Sequence, residues 1–135
     1  MDVISLDNLL RLKTIVDETD SKVVISSSLK NSYYITGNFS KKLLNIIRDI
    51  QNIGIDVIGI TPNSDIRENE IKLYLDRHPE VEKFCIIDDD YYMESFKNNL
   101  IKLPTQSKEH PNGLEDKYVD MAINILNKQK TKSLK

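Results

Sequence analysis

The stretch that decides the fold is FCIIDDDYY, residues 84–92, in which an apolar run leads directly into three consecutive aspartates. Adjacent carboxylates repel one another unless a cation or hydrogen-bond donors relieve the charge. The apolar run predicts a buried strand, and the carboxyl end of such a strand is where parallel sheets place their binding sites. The sequence therefore raises the question of what lies opposite Asp88, Asp89 and Asp90.

Similar apolar runs recur along the chain and alternate with segments of helical periodicity. The runs that predict strands are KVVIS (22–26), IDVIGI (55–60), FCII (84–87) and LIKL (100–103). Ser5 or Asp7 is expected to cap the first helix, and Ser40 the second. Continuous apolar strands between amphipathic helices predict an α/β fold with three layers, αβα, and a Rossmann-like, mostly parallel sheet of about four strands.

The composition limits the number of domains and the location. The chain has 135 residues, of which 39% are hydrophobic and 30% charged, and its net charge is −2. We predict one domain over residues 1–128 and a disordered basic tail over residues 129–135. We expect no membrane association, because no run approaches the roughly 18 apolar residues of a membrane span. The N-terminus lacks the pattern of a signal peptide, so a cytoplasmic location is predicted.

Polar residues that follow the predicted strands define the candidate site. Ser26 and Ser27 follow the first strand, Arg67 comes after the second, and Asp88 and Asp89 follow the third. Carboxyl ends of parallel strands meet at one edge of a sheet, so these side chains are expected to converge. Hydroxyls and a cation suit the oxygens of a phosphate, and carboxylates suit magnesium.

Each of these residues has a simpler interpretation. The serines can bond to nearby backbone at the end of a strand. Arg67 can be a solvated residue in the first turn of a helix, and one of the aspartates can serve as a helix N-cap. The local pattern alone leaves these alternatives open.

The chain resembles the haloacid dehalogenase (HAD) superfamily, in particular its small phosphatase-like domains without a large cap. The resemblance rests on LLRLKTIVDETDSKVVISSSLK, IGIDVIGITP, IRENEIKLYLDRHPEVEKFCIIDDD and GLEDKYVDMAINILN, in the expected order. It implies that Ser27, or alternatively Ser26, binds phosphate and that Arg67 is the basic residue of the site. It also implies that Asp88 and Asp89 are magnesium ligands or support them.

The first motif of that superfamily, Asp-x-Asp at the end of the first strand, is missing upstream of the serines. Its leading aspartate is the nucleophile, and the nearest candidate here is Asp7. We therefore expect a degenerate, non-catalytic HAD-like domain, a pseudoenzyme that binds a phosphate, another ligand or a protein. The alternative is a magnesium-dependent phosphohydrolase whose nucleophile comes from Asp7, from another chain or from a longer native product.

The resemblance also predicts the ligands and partners. Magnesium is expected to be weakly held or absent, because the carboxylates of the first motif are missing. The expected ligand is a phosphorylated small molecule or a polynucleotide end. A homodimer or a partner that donates a strand is one alternative, because the strand with the first motif would lie at the centre of the sheet.

The missing central strand would leave a gap between KVVIS and FCII, and unpaired backbone groups at its edges are costly. Three arrangements could close it: direct pairing of the two strands, folding back of residues 2–4 as a stub, or a strand from a second chain. Direct pairing is the first expectation, since residues 1–5 are too few for a strand and a turn.

Overall fold

The computed structural model of the chain describes residues 5–27, 30–31, 36–89, 91–104 and 114–133. Its elements alternate between helix and strand, in the order that the sequence predicts. The helices are α1 (Leu6–Thr19), α2 (Lys41–Asn52), α3 (Arg67–Arg77) and α4 (Asp116–Ser133). The strands are β1 (Val23–Ile25), β2 (Val57–Ile60), β3 (Ile86–Asp88) and β4 (Leu100–Lys102), and a turn of 3-10 helix covers Glu94–Phe96.

Local capping residues fix where the first two helices begin and end. Ser5 is the N-cap of α1, and its side chain accepts a hydrogen bond from the Asn8 amide. Ser40 caps α2 in the same way. Both predicted serine caps are therefore confirmed. Gly54, just beyond α2, has a φ of 89°, a left-handed conformation that favours glycine and lets the chain turn into β2.

The strands form two parallel pairs. In the first strand pair β1 lies beside β2, and in the second strand pair β3 lies beside β4. The predicted α/β class and parallel direction agree with this arrangement, but the described strands do not form one sheet of about four strands. Direct pairing of KVVIS with FCII is wrong, because β1 and β3 belong to different sheets. The predicted stub of residues 2–4 lies outside the described residues.

Helices bury side chains of both strand pairs, so these side chains are covered although β1 and β3 do not pair with each other. One cluster of buried residues joins α1 and α2 to the first strand pair: Leu9, Val16, Ile50 and Ile55. A second cluster joins α1 and α4 to the second strand pair: Ile15, Ile101, Leu103, Leu114, Val119 and Ala122. Leu12 of α1 packs against both clusters. Helix α1 therefore bridges the two pairs.

The second strand pair is covered on both faces. Cys85 and Ile87 pack against the cluster of α1 and α4, whereas Phe84 and Ile86 pack in the cluster that contains Ile71 of α3. This alternation follows from the two-residue period of a strand. Cys85 is partly buried, and this burial raises the pKa of its thiol to about 12.

Helix α4 closes the fold against α1. Arg11 of α1 donates a hydrogen bond of 2.9 Å from its Nε to a carboxylate oxygen of Asp116 in the first turn of α4. None of the helices in the described part of the chain is long and apolar enough to cross a membrane. The proposed boundary between a domain of residues 1–128 and a disordered tail stays a prediction.

Candidate active site

The cation opposite Asp88 is an arginine. Arg67 donates a hydrogen bond of 2.7 Å from its terminal guanidinium nitrogen to Oδ2 of Asp88. The backbone amide of Tyr91 donates to Oδ1 of the same carboxylate at 3.0 Å. Asp88 is buried at the end of β3, and these two donors provide a hydrogen bond to each of its carboxylate oxygens. The first of the three consecutive aspartates is therefore neutralised from within the chain.

Arg67 is the first residue of α3, and the loop after β2 brings it to the end of β3. Only 8% of its side chain is exposed, so the interpretation of Arg67 as a solvated first-turn residue is wrong. Its Nε lies 3.7 Å from a carboxylate oxygen of Glu70, one helical turn further on. The guanidinium thus lies between two carboxylates, which fix its position.

A second buried ion pair adjoins the first. Lys30 lies beyond β1, is 1% exposed, and its Nζ is 2.7 Å from Oε1 of Glu70. The other carboxylate oxygen of Glu70 accepts a hydrogen bond of 3.0 Å from the Ser64 backbone amide. Neither Glu70 nor Lys30 is among the predicted site residues. Arg67 and Glu70 lie one turn apart on a predicted helix, and this spacing could have indicated that these two side chains interact.

Lys30, Glu70, Arg67 and Asp88 form what we call the charged network. It contains two cations and two carboxylates, so its net charge is zero. Its members come from the chain after β1, from α3 and from the end of β3, so it joins the two strand pairs at their carboxyl ends. Buried charges are costly unless each has a partner, and here each has one.

A cleft opens beside the charged network. It has a volume of about 190 Å³. The residues around it are Lys30, Asn31, Asn63, Ser64, Asp65, Ile66, Arg67, Glu70 and Tyr91. Most of these residues are polar or charged, and both cations of the network lie in the wall of the cleft.

Asp65 lies at the edge of this cleft, just before α3. Its pKa lies below the ordinary value because the Asn69 side chain donates a hydrogen bond to the carboxylate, followed by the Ser64 hydroxyl and the Ile66 amide. Distances for these bonds are 2.9 to 3.0 Å. The bonds hold the loop against the first turn of α3, the turn that carries Arg67 and Glu70.

The model of one protein family matches residues 4–119, which include every element described above except the later turns of α4. That family is described as the HAD domain in Swiss Army Knife RNA repair proteins. The chain belongs to this family of HAD domains. A search of curated proteins and a search of solved structures found no match. The suspected membership of the HAD superfamily is confirmed.

The HAD domain brings only some of the predicted site residues together. Arg67 and Asp88 are in contact, whereas Ser26 and Ser27 lie after β1, where their backbone oxygens accept from Lys30 at 3.5 and 3.2 Å. Neither serine is among the residues that line the cleft. Asp89 is partly buried, and its backbone oxygen accepts from Lys102. The predicted phosphate contacts of the two serines stay a prediction.

The other predicted residues lie on the surface or outside the description. Asp7 is exposed in the first turn of α1, where its carboxylate interacts favourably with the positive end of the helix dipole. Asp90 lies outside the described residues. Among the described residues there is no group of three or more histidine, cysteine, aspartate or glutamate side chains that could hold a metal ion. Asp88 accepts two hydrogen bonds, one on each carboxylate oxygen. The roles of Asp88 and Asp89 as magnesium ligands stay a prediction.

Proposed function

We propose that this HAD domain binds the terminal phosphate of an RNA and does not itself hydrolyse it. The observation that carries the proposal is the presence of two buried cations, Lys30 and Arg67, in the wall of a polar cleft. Both lie at the carboxyl ends of parallel strands, where α/β folds bind their ligands.

The charged network supports phosphate binding by positioning Arg67. A guanidinium binds phosphate through several N–H donors in a fixed plane, so its orientation decides which contacts it makes. Asp88 and Glu70 hold that plane in place, which reduces the conformational entropy that Arg67 loses on binding. RNA is the proposed source of the phosphate because the family is named for RNA repair proteins.

The absence of catalysis is proposed from the position of the candidate nucleophile. Asp7 is exposed in the first turn of α1 and does not line the cleft. The alternative, a magnesium-dependent phosphohydrolase, would take its nucleophile from Asp7, from another chain or from a longer product. A homodimer or strand-donating partner also stays a proposal, for the inner edges of β1 and β3. A cytoplasmic location stays a prediction.

The proposal is tested by comparing RNA oligonucleotides that differ only in whether an end carries a phosphate. Fluorescence anisotropy would compare octaribonucleotides with a 5′- or 3′-phosphate against the same molecules with hydroxyl ends. We expect the phosphate at one end to strengthen binding about tenfold or more, which corresponds to about 1.4 kcal/mol. Arg67→Lys should reduce that preference while keeping the charge opposite Asp88, because lysine cannot form the planar contacts of a guanidinium.

Arg48→Ala is the matched control. Arg48 is an exposed arginine on α2, and its Nε lies 4.0 Å from a carboxylate oxygen of Asp49. The variant should lower affinity for phosphate and hydroxyl ends alike, if it lowers affinity at all. Equal affinity of the unaltered domain for phosphate and hydroxyl ends would overturn the proposal.

Catalysis is tested with the same oligonucleotides in the presence of magnesium. We expect no release of inorganic phosphate. Release that Asp7→Asn abolishes would instead support the phosphohydrolase. Calorimetry with magnesium alone should show at most weak binding, and submillimolar binding that survives Asp88→Asn would show that this aspartate is not a ligand.

A further inference from the structure

Tyr91 is an exposed aromatic residue at the edge of the cleft. Nearly half of its surface, 49%, is accessible, and the residue contributes to the cleft wall. The guanidinium carbon of Arg67 lies over its ring, 5.1 Å from the centroid. The Tyr91 amide is bonded to Asp88, so the backbone that carries the ring is tied to the charged network.

The neighbouring tyrosine differs in each of these respects. Tyr92 is 63% exposed, it is not among the residues around the cleft, and its hydroxyl donates to Glu94. That hydrogen bond and the adjacent carboxylate raise the pKa of the Tyr92 hydroxyl. The two tyrosines therefore provide a ring beside the proposed phosphate site and a matched ring away from it.

We propose that the Tyr91 ring stacks on the nucleobase that adjoins the bound phosphate. The proposal rests on the proposed function and names the part of the RNA end that the site reads besides the phosphate. Bases stack on exposed aromatic rings largely without regard to sequence, which suits a domain that meets many RNA ends. Arg67 would cover one face of the ring and contact the phosphate, and the base would take the opposite face.

The test uses two octaribonucleotides that carry the preferred terminal phosphate, one normal and one with an abasic terminal nucleotide. We expect the unaltered domain to bind the normal RNA about tenfold more tightly, since stacking on one aromatic ring contributes on this order. Tyr91→Ala should lower affinity for the normal RNA more than for the abasic RNA and so remove that difference. Tyr91→Phe and Tyr92→Ala should both retain the difference.

The outcomes separate this proposal from the proposed function. Equal binding of normal and abasic RNA by the unaltered domain would overturn stacking while leaving phosphate binding intact. An equal loss for both RNAs in Tyr91→Ala would also overturn it, since the ring would then act by positioning Arg67. Base-dependent binding that is the same for phosphate and hydroxyl ends would support stacking and overturn the proposed function.

Discussion

The two strand pairs of this HAD domain are buried to different degrees. The second pair, β3 and β4, has side chains packed on both faces and an unbroken register. The first pair, β1 and β2, has a register irregularity between Val23 and Val24, and Ile58 of β2 is 54% exposed. Helices α1, α3 and α4 therefore cover both faces of the second pair, whereas part of the first pair stays in contact with solvent.

The charged network is where the two pairs depend on each other. Glu70 lies on α3, and its partner Lys30 follows β1, while Arg67 pairs with Asp88 at the end of β3. Loss of one member should therefore affect both pairs, whereas loss of a core side chain should affect mainly the pair that it covers.

The largest effect is expected from Glu70→Leu. It leaves the buried ammonium of Lys30 without its carboxylate, and removing one partner of a buried pair costs about 3–5 kcal/mol of unfolding free energy. Urea denaturation would measure the loss. The double variant Lys30→Met with Glu70→Leu should recover most of it, because no unpaired charge remains.

A surface pair provides the control for that experiment. Lys13 and Asp17 form an ion pair of 3.1 Å on the exposed side of α1. Asp17→Ala should cost less than about 1 kcal/mol, as is usual for exposed pairs. If Glu70→Leu cost no more than Asp17→Ala, the charged network would not tie the strand pairs together.

The next effect compares isoleucines of the two strand pairs. Ile101 of β4 is 1% exposed, so Ile101→Ala should cost about 2–5 kcal/mol through lost burial and the cavity left behind. Ile58→Ala on β2 should change stability by about 0.5 kcal/mol or less, because the side chain is already largely in water. Thermal or urea unfolding would measure both. Similar losses would contradict the proposed difference in burial.

A smaller effect is expected at the helix caps. Ser40→Ala removes the hydroxyl that accepts from the Leu43 amide at the start of α2, and should cost about 1 kcal/mol. Since α2 packs on the first strand pair, hydrogen exchange should become faster in β1 and β2 and remain unchanged in β3 and β4. Ser5→Ala, which uncaps the bridging helix α1, should instead speed exchange in both pairs.

The smallest effect on stability at neutral pH is expected from the thiol of Cys85, the residue just before β3. Burial raises the pKa of Cys85 from 9.0 to about 12. Because the pKa is higher in the folded state, its contribution to stability is complete below pH 9.0 and is lost as the pH rises towards about 12. Thiolate absorbance should therefore appear near pH 9 in urea and only at higher pH in buffer. If the Cys85 thiol titrated at the same pH in urea and in buffer, Cys85 would not be buried.

Part of the fold and part of the site could be predicted from local sequence. Ser5 and Ser40 bond to amides only three residues away, so their capping roles are encoded in short segments. The pairing of Lys30 with Glu70 joins residues that are 40 positions apart, and no local pattern specifies it. Arg67 and Asp88 were each predicted to be site residues, for a phosphate and for a metal, but their contact with each other was not predicted.

The sequence by itself determined the alternation of helices and strands and the family, because caps, apolar runs and periodicity act over a few residues. Only the tertiary structure decided how the strands group into pairs and which cation faces Asp88. Those outcomes depend on which buried surfaces meet and on each buried charge finding a partner. The apolar run before the aspartates placed Asp88 at the end of a strand, and the packing of α3 against β3 brought Arg67 to it.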